Sequence, residues 1–376
     1  MVEDIKPFMN VEPGEFIREE LEIRNWQQGD LAEVLGMSKK FINELIMSKK
    51  SITVDTARLL SKAFGQSPEY WLNLDIAYRL RQKSDTIRTK EVELKAEIFK
   101  YMPVRGMIKK GWLKPYKNSK ALTRQVLSFW NINTLDFSFL DELALPGFKQ
   151  TGESFNFEKY YALCWYRMAK AKAKSFQVGD YDEDKLKKLV ERFHTFLLKD
   201  SGIEEFISEL GKVGVKFFVL SHLDKSVIDG GSFYDRHHPV IVYACRYDRV
   251  DNFWFTIAYE MAHVLLHLKE DRYFLDNLEF SETDPQRESK ELAAKMLRVE
   301  SIIDYFKSNA FESYISEPRL KYCQEELKLD SALIAGILEY YGKMSKRNLN
   351  RFKKNVSNLI PKKYFVEQER VKLELK

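Results

Sequence analysis

The stretch Gln28-Gly29-Asp30-Leu31-Ala32-Glu33-Val34-Leu35-Gly36-Met37-Ser38-Lys39-Lys40-Phe41-Ile42-Asn43 decides how the chain is read. Leu31, Ala32 and Leu35 recur at helical spacing, Gly36 stops that helix, and Ser38 stands where a hydroxyl can cap the next one. The second helix spans 39–47 and turns Ile42, Leu45 and Ile46 inward, leaving Lys39, Lys40, Asn43 and Glu44 outside. Helices this short are marginal alone, so neighbours must hold them. The sequence supplies those neighbours. Pro13 opens a helix carrying Phe16, Ile17 and Leu21; Thr53 caps another with Ala57, Leu60 and Phe64 inward; Ser67-Pro68 starts a fifth.

Two short helices around a tight turn suit a major groove, which admits one helix braced by a second against the backbone. Gln28 opens the first helix, where free N–H groups and the dipole favour a phosphate. Ser38, Lys39, Lys40 and Asn43 would meet the groove, with Lys49 and Lys50 at its exit. These seven residues are the expected DNA contacts. The alternative is a small helical bundle that binds protein.

Glu12-Pro13-Gly14-Glu15-Phe16-Ile17-Arg18-Glu19-Glu20-Leu21, Leu31-Ala32-Glu33-Val34-Leu35-Gly36, Asp55-Thr56-Ala57-Arg58-Leu59-Leu60 and Ser67-Pro68-Glu69-Tyr70-Trp71-Leu72-Asn73-Leu74 together resemble the HigA-type antitoxin repressors, a branch of the XRE helix-turn-helix family. The resemblance covers residues 12–80. It implies a repressor that binds a palindromic double-stranded operator as a homodimer, with a cognate toxin as partner in a toxin–antitoxin or phage-defence module. The family's usual His-Pro-Gly start is Glu12-Pro13-Gly14 here.

At 376 residues the chain has room for two or three domains. Its 44% hydrophobic and 14% aromatic content excludes global disorder. No apolar run reaches the roughly 18 residues of a spanning helix, and Met1 opens no signal pattern. Three separated cysteines, Cys164, Cys245 and Cys323, fit a reducing compartment. The expectation is a cytoplasmic protein without membrane contact. The net charge of +5 is uneven: residues 81–124 carry 13 Lys/Arg against four acids. Such a block either meets phosphates or forms a solvated helical face.

Residues 81–200 read as helical, with Trp112, Phe129, Trp130, Trp165 and Tyr166 as apolar anchors. Then β-branched and aromatic runs at 214–220 and 240–243 predict strands, with Asp229-Gly230-Gly231 and His238-Pro239 as turns. Helices are expected at 253–268, 286–297, 319–328, 331–341 and from 346 onward. The expected fold is therefore mainly α with a small α+β part. Its domains are a reader at 1–80, a basic helical connector at 81–200, and a last domain at 201–376.

Within that last domain, Tyr259-Glu260-Met261-Ala262-His263 is one substitution away from a zinc peptidase motif. Such a motif needs two His at i and i+4 on one helix face, a Glu beside the metal water, and a third ligand from elsewhere. Here Tyr259 takes the place of the first His. Residues from about 213 to the helix of Glu288 resemble the ImmA/IrrE metallopeptidase-like family, whose zincin-like fold they imply. By that resemblance Glu260 matches the general base, His263 a zinc ligand and Glu288 the distal carboxylate ligand. A phenol is a poor ligand near neutral pH, so a vestigial or weak metal site without peptidase activity is expected. No cofactor is expected, with zinc held partly by His267 as the alternative. Three functions stay open: a repressor and antitoxin, an active zinc metalloprotease that cleaves a repressor or itself, and a regulator that senses a ligand.

Overall fold

The computed structural model describes residues 11–82, 87–142, 153–199, 201–224, 226, 228–269, 272–276, 283–308, 315–344 and 352–366. Contacts divide the chain into two compact units, Met1–Glu93 and Leu94–Lys376.

The first unit is a bundle of α1 (Pro13–Ile23), α2 (Gln28–Leu35), α3 (Lys39–Ile46), α4 (Val54–Phe64) and α5 (Pro68–Gln82). Ile17, Leu31, Ile42, Ala57, Leu60 and Trp71 are each fully buried at its centre. Helix α1 can approach α3 only because residue 14 is glycine. A Cβ there would lie 1.8 Å from the Ile46 carbonyl oxygen. The freed space lets the Gly14 N–H donate to Ser48 Oγ at 3.2 Å. That contact gives the Glu12-Pro13-Gly14 start a packing role.

Helix α6 (Ile87–Tyr101) follows, then α7 (Val104–Lys109), α8 (Ser119–Trp130), α9 (Ser138–Glu142), α10 (Glu153–Ala173), α11 (Glu183–Glu191) and α12 (Gly202–Lys212). The second unit continues through β1 (Lys216–Val219), β2 (Gly230–Asp235), β3 (His238–Tyr243), α13 (Val250–Leu266), β4 (Tyr273–Asp276), α14 (Asp284–Met296), α15 (Val299–Ser308), α16 (Glu317–Leu327) and α17 (Ser331–Tyr340). Its sheet runs β1-β3-β2-β4, with β1 parallel to β3 and the other pairs antiparallel.

Both sheet faces are covered, so β1 and β3 read as near-continuous apolar runs rather than alternating ones. Phe217, Val219, Ile241, Tyr243 and Phe274 share one core with α13 and α17. Phe218, Val240, Val242, Phe233 and Leu275 join a second core with Trp165 of α10, whose indole N–H donates to the Leu220 carbonyl at 2.9 Å. Helices from residues 94–200 thus belong to the same compact unit as the sheet.

Two expected turns are strand instead. Asp229-Gly230-Gly231 and His238-Pro239 lie at the starts of β2 and β3, and the reversal falls at Arg236-His237, with Arg236 at φ 58°. Glycine at 230 serves clearance: a Cβ would sit 2.5 Å from Thr256 Cγ2 and 2.8 Å from Glu260 Oε1. The helix expected from 346 begins outside the described residues. Among the described residues no helix is long and apolar enough to cross a membrane.

Candidate functional site

The turn between α2 and α3 forms as the residues require. Gly36 takes the left-handed conformation at φ 65°, and Met37 N–H bonds back to the Ala32 carbonyl at 2.9 Å. Ser38 Oγ then accepts from Phe41 N–H at 3.2 Å, capping α3. Ile42, Leu45 and Ile46 are buried, whereas Lys39, Lys40, Asn43 and Met47 are exposed on the opposite side. That side presents ammonium and carboxamide groups, the chemistry that meets base edges and phosphates.

Gln28 is exposed in the first turn of α2, and a Cβ on neighbouring Gly29 would lie 3.5 Å from Lys39 Nζ. A lysine ammonium therefore sits beside the α2 N-terminus, an arrangement suited to a phosphate. Lys50 is held more firmly, 3.3 Å from Glu44 Oε2 and 4.6 Å over the Phe41 ring. Lys49 is exposed one residue earlier. The structure thus places Lys39 beside Gly29 in the first turn of α2, uses Ser38 as a cap, and leaves Gln28, Lys40, Asn43 and Lys49 at the surface.

In the second unit, α13 is buried along most of its length, with Glu260 and His263 fully inaccessible and Tyr259 nearly so. Glu260 lies under Gly230 of β2. His263 stacks on Phe274 of β4, with ring centroids 4.1 Å apart and planes 14° apart, and meets Tyr259 edge-on at 4.7 Å. Its Nδ1 is 3.1 Å from Ser289 Oγ of α14. Glu288, the expected distal ligand, instead reaches His267, with Oε2 3.4 Å from Nε2 and a side chain 59% exposed. Burial lowers the His267 pKa, and neighbouring His263 lowers it further.

This donor set does not fit zinc. One imidazole comes from α13, Tyr259 replaces the other, and Ser289 is what α14 offers His263. Among the described residues no group of three or more His, Cys, Asp or Glu could hold a metal ion.

Beside it lies a cavity of about 470 Å³, walled by Asn252, Phe255 and Tyr259 of α13, Lys290 of α14 and Tyr340 of α17. Arg249 crosses one end, paired with Asp251 at 2.5 Å and Glu339 at 3.4 Å, and Lys353 joins Glu339 at 3.0 Å. Sequence reading missed this network. The available signal was Gly336 in mid-helix: a Cβ there would fall 2.2 Å from Asp251 Oδ2.

Two family models match the chain: Helix-turn-helix over residues 17–71, and an IrrE N-terminal-like domain over residues 213–342. Over 72 residues the chain is 39% identical to virulence-associated protein I of Dichelobacter nodosus, spanning 19% of this chain and 67% of that protein. It is 31% identical over 75 residues to an uncharacterized HTH-type transcriptional regulator of Escherichia coli, spanning 20% and 80%. The chain belongs to the helix-turn-helix family. It is a DNA-binding regulator of the XRE type, with an IrrE-like domain following the reader. A solved addiction module antidote protein of a HigA family from Coxiella burnetii is 30% identical, covering 25% of this chain and 97% of that one, with a TM-score of 0.20.

In helix-turn-helix modules the second helix of the motif reads the groove and the first braces it. Each of these two curated relatives matches about a fifth of the chain.

Proposed function

We propose that this regulator is a sequence-specific repressor that binds its operator as a homodimer in the cytoplasm and acts as the antitoxin of a toxin–antitoxin or phage-defence module. The observation that carries the reading is the exposed Lys39, Lys40 and Asn43 side of a Ser38-capped, internally braced α3. Half-site binding by two copies is supported by α5, where Ile76 (52% exposed) and Leu80 (75% exposed) form an apolar i,i+4 pair in the first unit. Likeness to an addiction module antidote protein supports the antitoxin role.

The IrrE-like domain, in this reading, has lost peptidase chemistry and binds a partner or signal. Tyr259 in place of an imidazole supports the loss, and a cavity of about 470 Å³ has the size of small-ligand sites. Titrating the purified chain with its own upstream region by electrophoretic shift, at physiological salt, tests the first part. A discrete complex outcompeting random duplex is expected; absence of any preference would overturn it. Stoichiometric zinc together with proteolysis abolished by Glu260→Gln would replace the second part with an active metalloprotease.

A further inference from the structure

Residues 94–124 carry nine Lys/Arg and one acid, Glu97, whereas residues 125–376 carry 38 Lys/Arg and 39 Asp/Glu. The rest of the second unit balances its charges, often in close pairs such as Lys216–Asp235 at 2.7 Å and Lys187–Glu183 at 2.7 Å. This one segment does not. An ordinary solvated surface intersperses both signs, so the imbalance needs a physical reason.

Four of these cations lie on α8 or in the loop that leads into it. Helix α8 buries Ser119, Leu122 and Val126, and its outer side carries Lys120 and Arg124 at i,i+4 spacing, both exposed. Lys117 stands one turn before Lys120 and is exposed beside the helix N-terminus, which Asn118 caps by accepting from Ala121 N–H at 2.9 Å. The preceding loop is clamped to the helix. Lys114 N–H donates to Gln125 Oε1 at 2.6 Å, and Gln125 Nε2 donates to the Lys114 carbonyl at 3.1 Å. This pair of hydrogen bonds ties the Lys114 backbone to Gln125, the residue after Arg124. Among the described residues Lys114, Lys117, Lys120 and Arg124 form no ion pair. Lys110 is different: its Nζ donates to Ser221 Oγ at 2.7 Å.

We propose that Lys114, Lys117, Lys120 and Arg124 form a second nucleic-acid surface, on the IrrE-like unit itself, for the phosphate backbone of double-stranded DNA. Four exposed cations on a rigid helix-and-loop platform, reinforced by the positive end of α8, match a polyanion. Three of the four are lysines, compact point charges on flexible stems, so the surface contributes affinity through phosphates rather than sequence preference. Duplex DNA is the occupant favoured here, because the same chain carries a helix-turn-helix reader that brings it to duplex DNA. The surface itself is independent of how α3 reads sequence.

The test uses the full chain and a random-sequence duplex, with affinity measured by fluorescence anisotropy from 50 to 200 mM salt. The variant is Lys114→Gln/Lys117→Gln/Lys120→Gln/Arg124→Gln. Each lost phosphate contact removes about 0.9 from the slope of log affinity against log salt, so four contacts remove about 3 to 4. The wild-type loss of affinity across that salt range would then exceed the variant's by about 100-fold. A second variant, Lys114→Arg/Lys117→Arg/Lys120→Arg, keeps the charge and should retain the wild-type slope. An unchanged slope in the Gln variant overturns the proposal, as does an equal loss in the Arg variant. Loss of single-stranded RNA binding with duplex binding intact would also overturn it. A parallel variant, Lys39→Ala/Asn43→Ala, separates this surface from the reader: it should lose operator preference and keep most of the salt slope.

Discussion

Gly14→Ala should loosen the DNA-reading bundle from the inside. The new Cβ would stand 1.8 Å from the Ile46 carbonyl oxygen and 2.5 Å from its carbon. Real Cβ contacts do not fall below 3.0 Å, so α1 and the end of α3 must part by at least about 1.2 Å. Both obstructing atoms are backbone, so no rotamer change relieves them. The shift breaks the Gly14 N–H bond to Ser48 Oγ, worth about 1 kcal/mol. Overpacking adds about 1–3 kcal/mol, and alanine's better helix propensity returns up to about 1 kcal/mol. The net cost is about 1–3 kcal/mol, a 5- to 150-fold fall in amide protection across α3 by hydrogen exchange on the full chain. Gly29→Ala is the control. Its Cβ would meet only the end of the flexible Lys39 side chain, Cε at 3.3 Å and Nζ at 3.5 Å, so protection should hold or rise. Unchanged protection in Gly14→Ala would refute the docking of α1 on α3.

Other outcomes follow from the second unit. Gly336→Ala places a Cβ 2.2 Å from Asp251 Oδ2 and should disrupt the Arg249–Asp251–Glu339 network, lowering the thermal midpoint by several degrees; an unchanged midpoint would mean α17 does not pack there. His267 and His222 both have pKa values lowered, chiefly by burial, so the unfolded chain binds more protons than the folded one. Their stabilising neutral forms are fully present above the unfolded value of about 6.5 and lost as pH falls below it. Denaturation between pH 7.5 and 5.5 should show that fall, and His267→Gln should flatten it. Equilibrium dialysis against zinc should give similar weak uptake for wild type and His263→Ala; a large drop in the variant would show that His263 grips metal.

The reader was legible because its signals are local. Gly36, Ser38, Thr53 and Pro68 each punctuate a helix through their own backbone chemistry, and the buried positions recur at helical spacing. The sheet was half legible. Strands β1 and β3 announce themselves by β-branched residues, but β2 begins Gly230-Gly231, and those glycines answer to Thr256, Glu260 and Leu275 from distant segments. Local turn propensity pointed the wrong way because tertiary crowding sets those positions. The site reading behaved likewise. Tyr259, Glu260 and His263 follow from one helix, whereas the pairing of His263 with Ser289 and of His267 with Glu288 depends on the rotation of α14. A residue count along the chain does not fix that rotation. The cavity walled by α13, α14 and α17 lay beyond sequence reasoning because it is assembled from helices far apart in the chain.

Selection of bound sequences from a random duplex library, run in parallel on wild type and Asn43→Ala, bears most directly on α3 as the reading helix. Wild type should enrich one two-fold symmetric motif, and the variant should lose its preference at a single base position in each half, at about 1–3 kcal/mol per position, while keeping the others. An identical motif from both proteins, or no motif from wild type, would contradict the account.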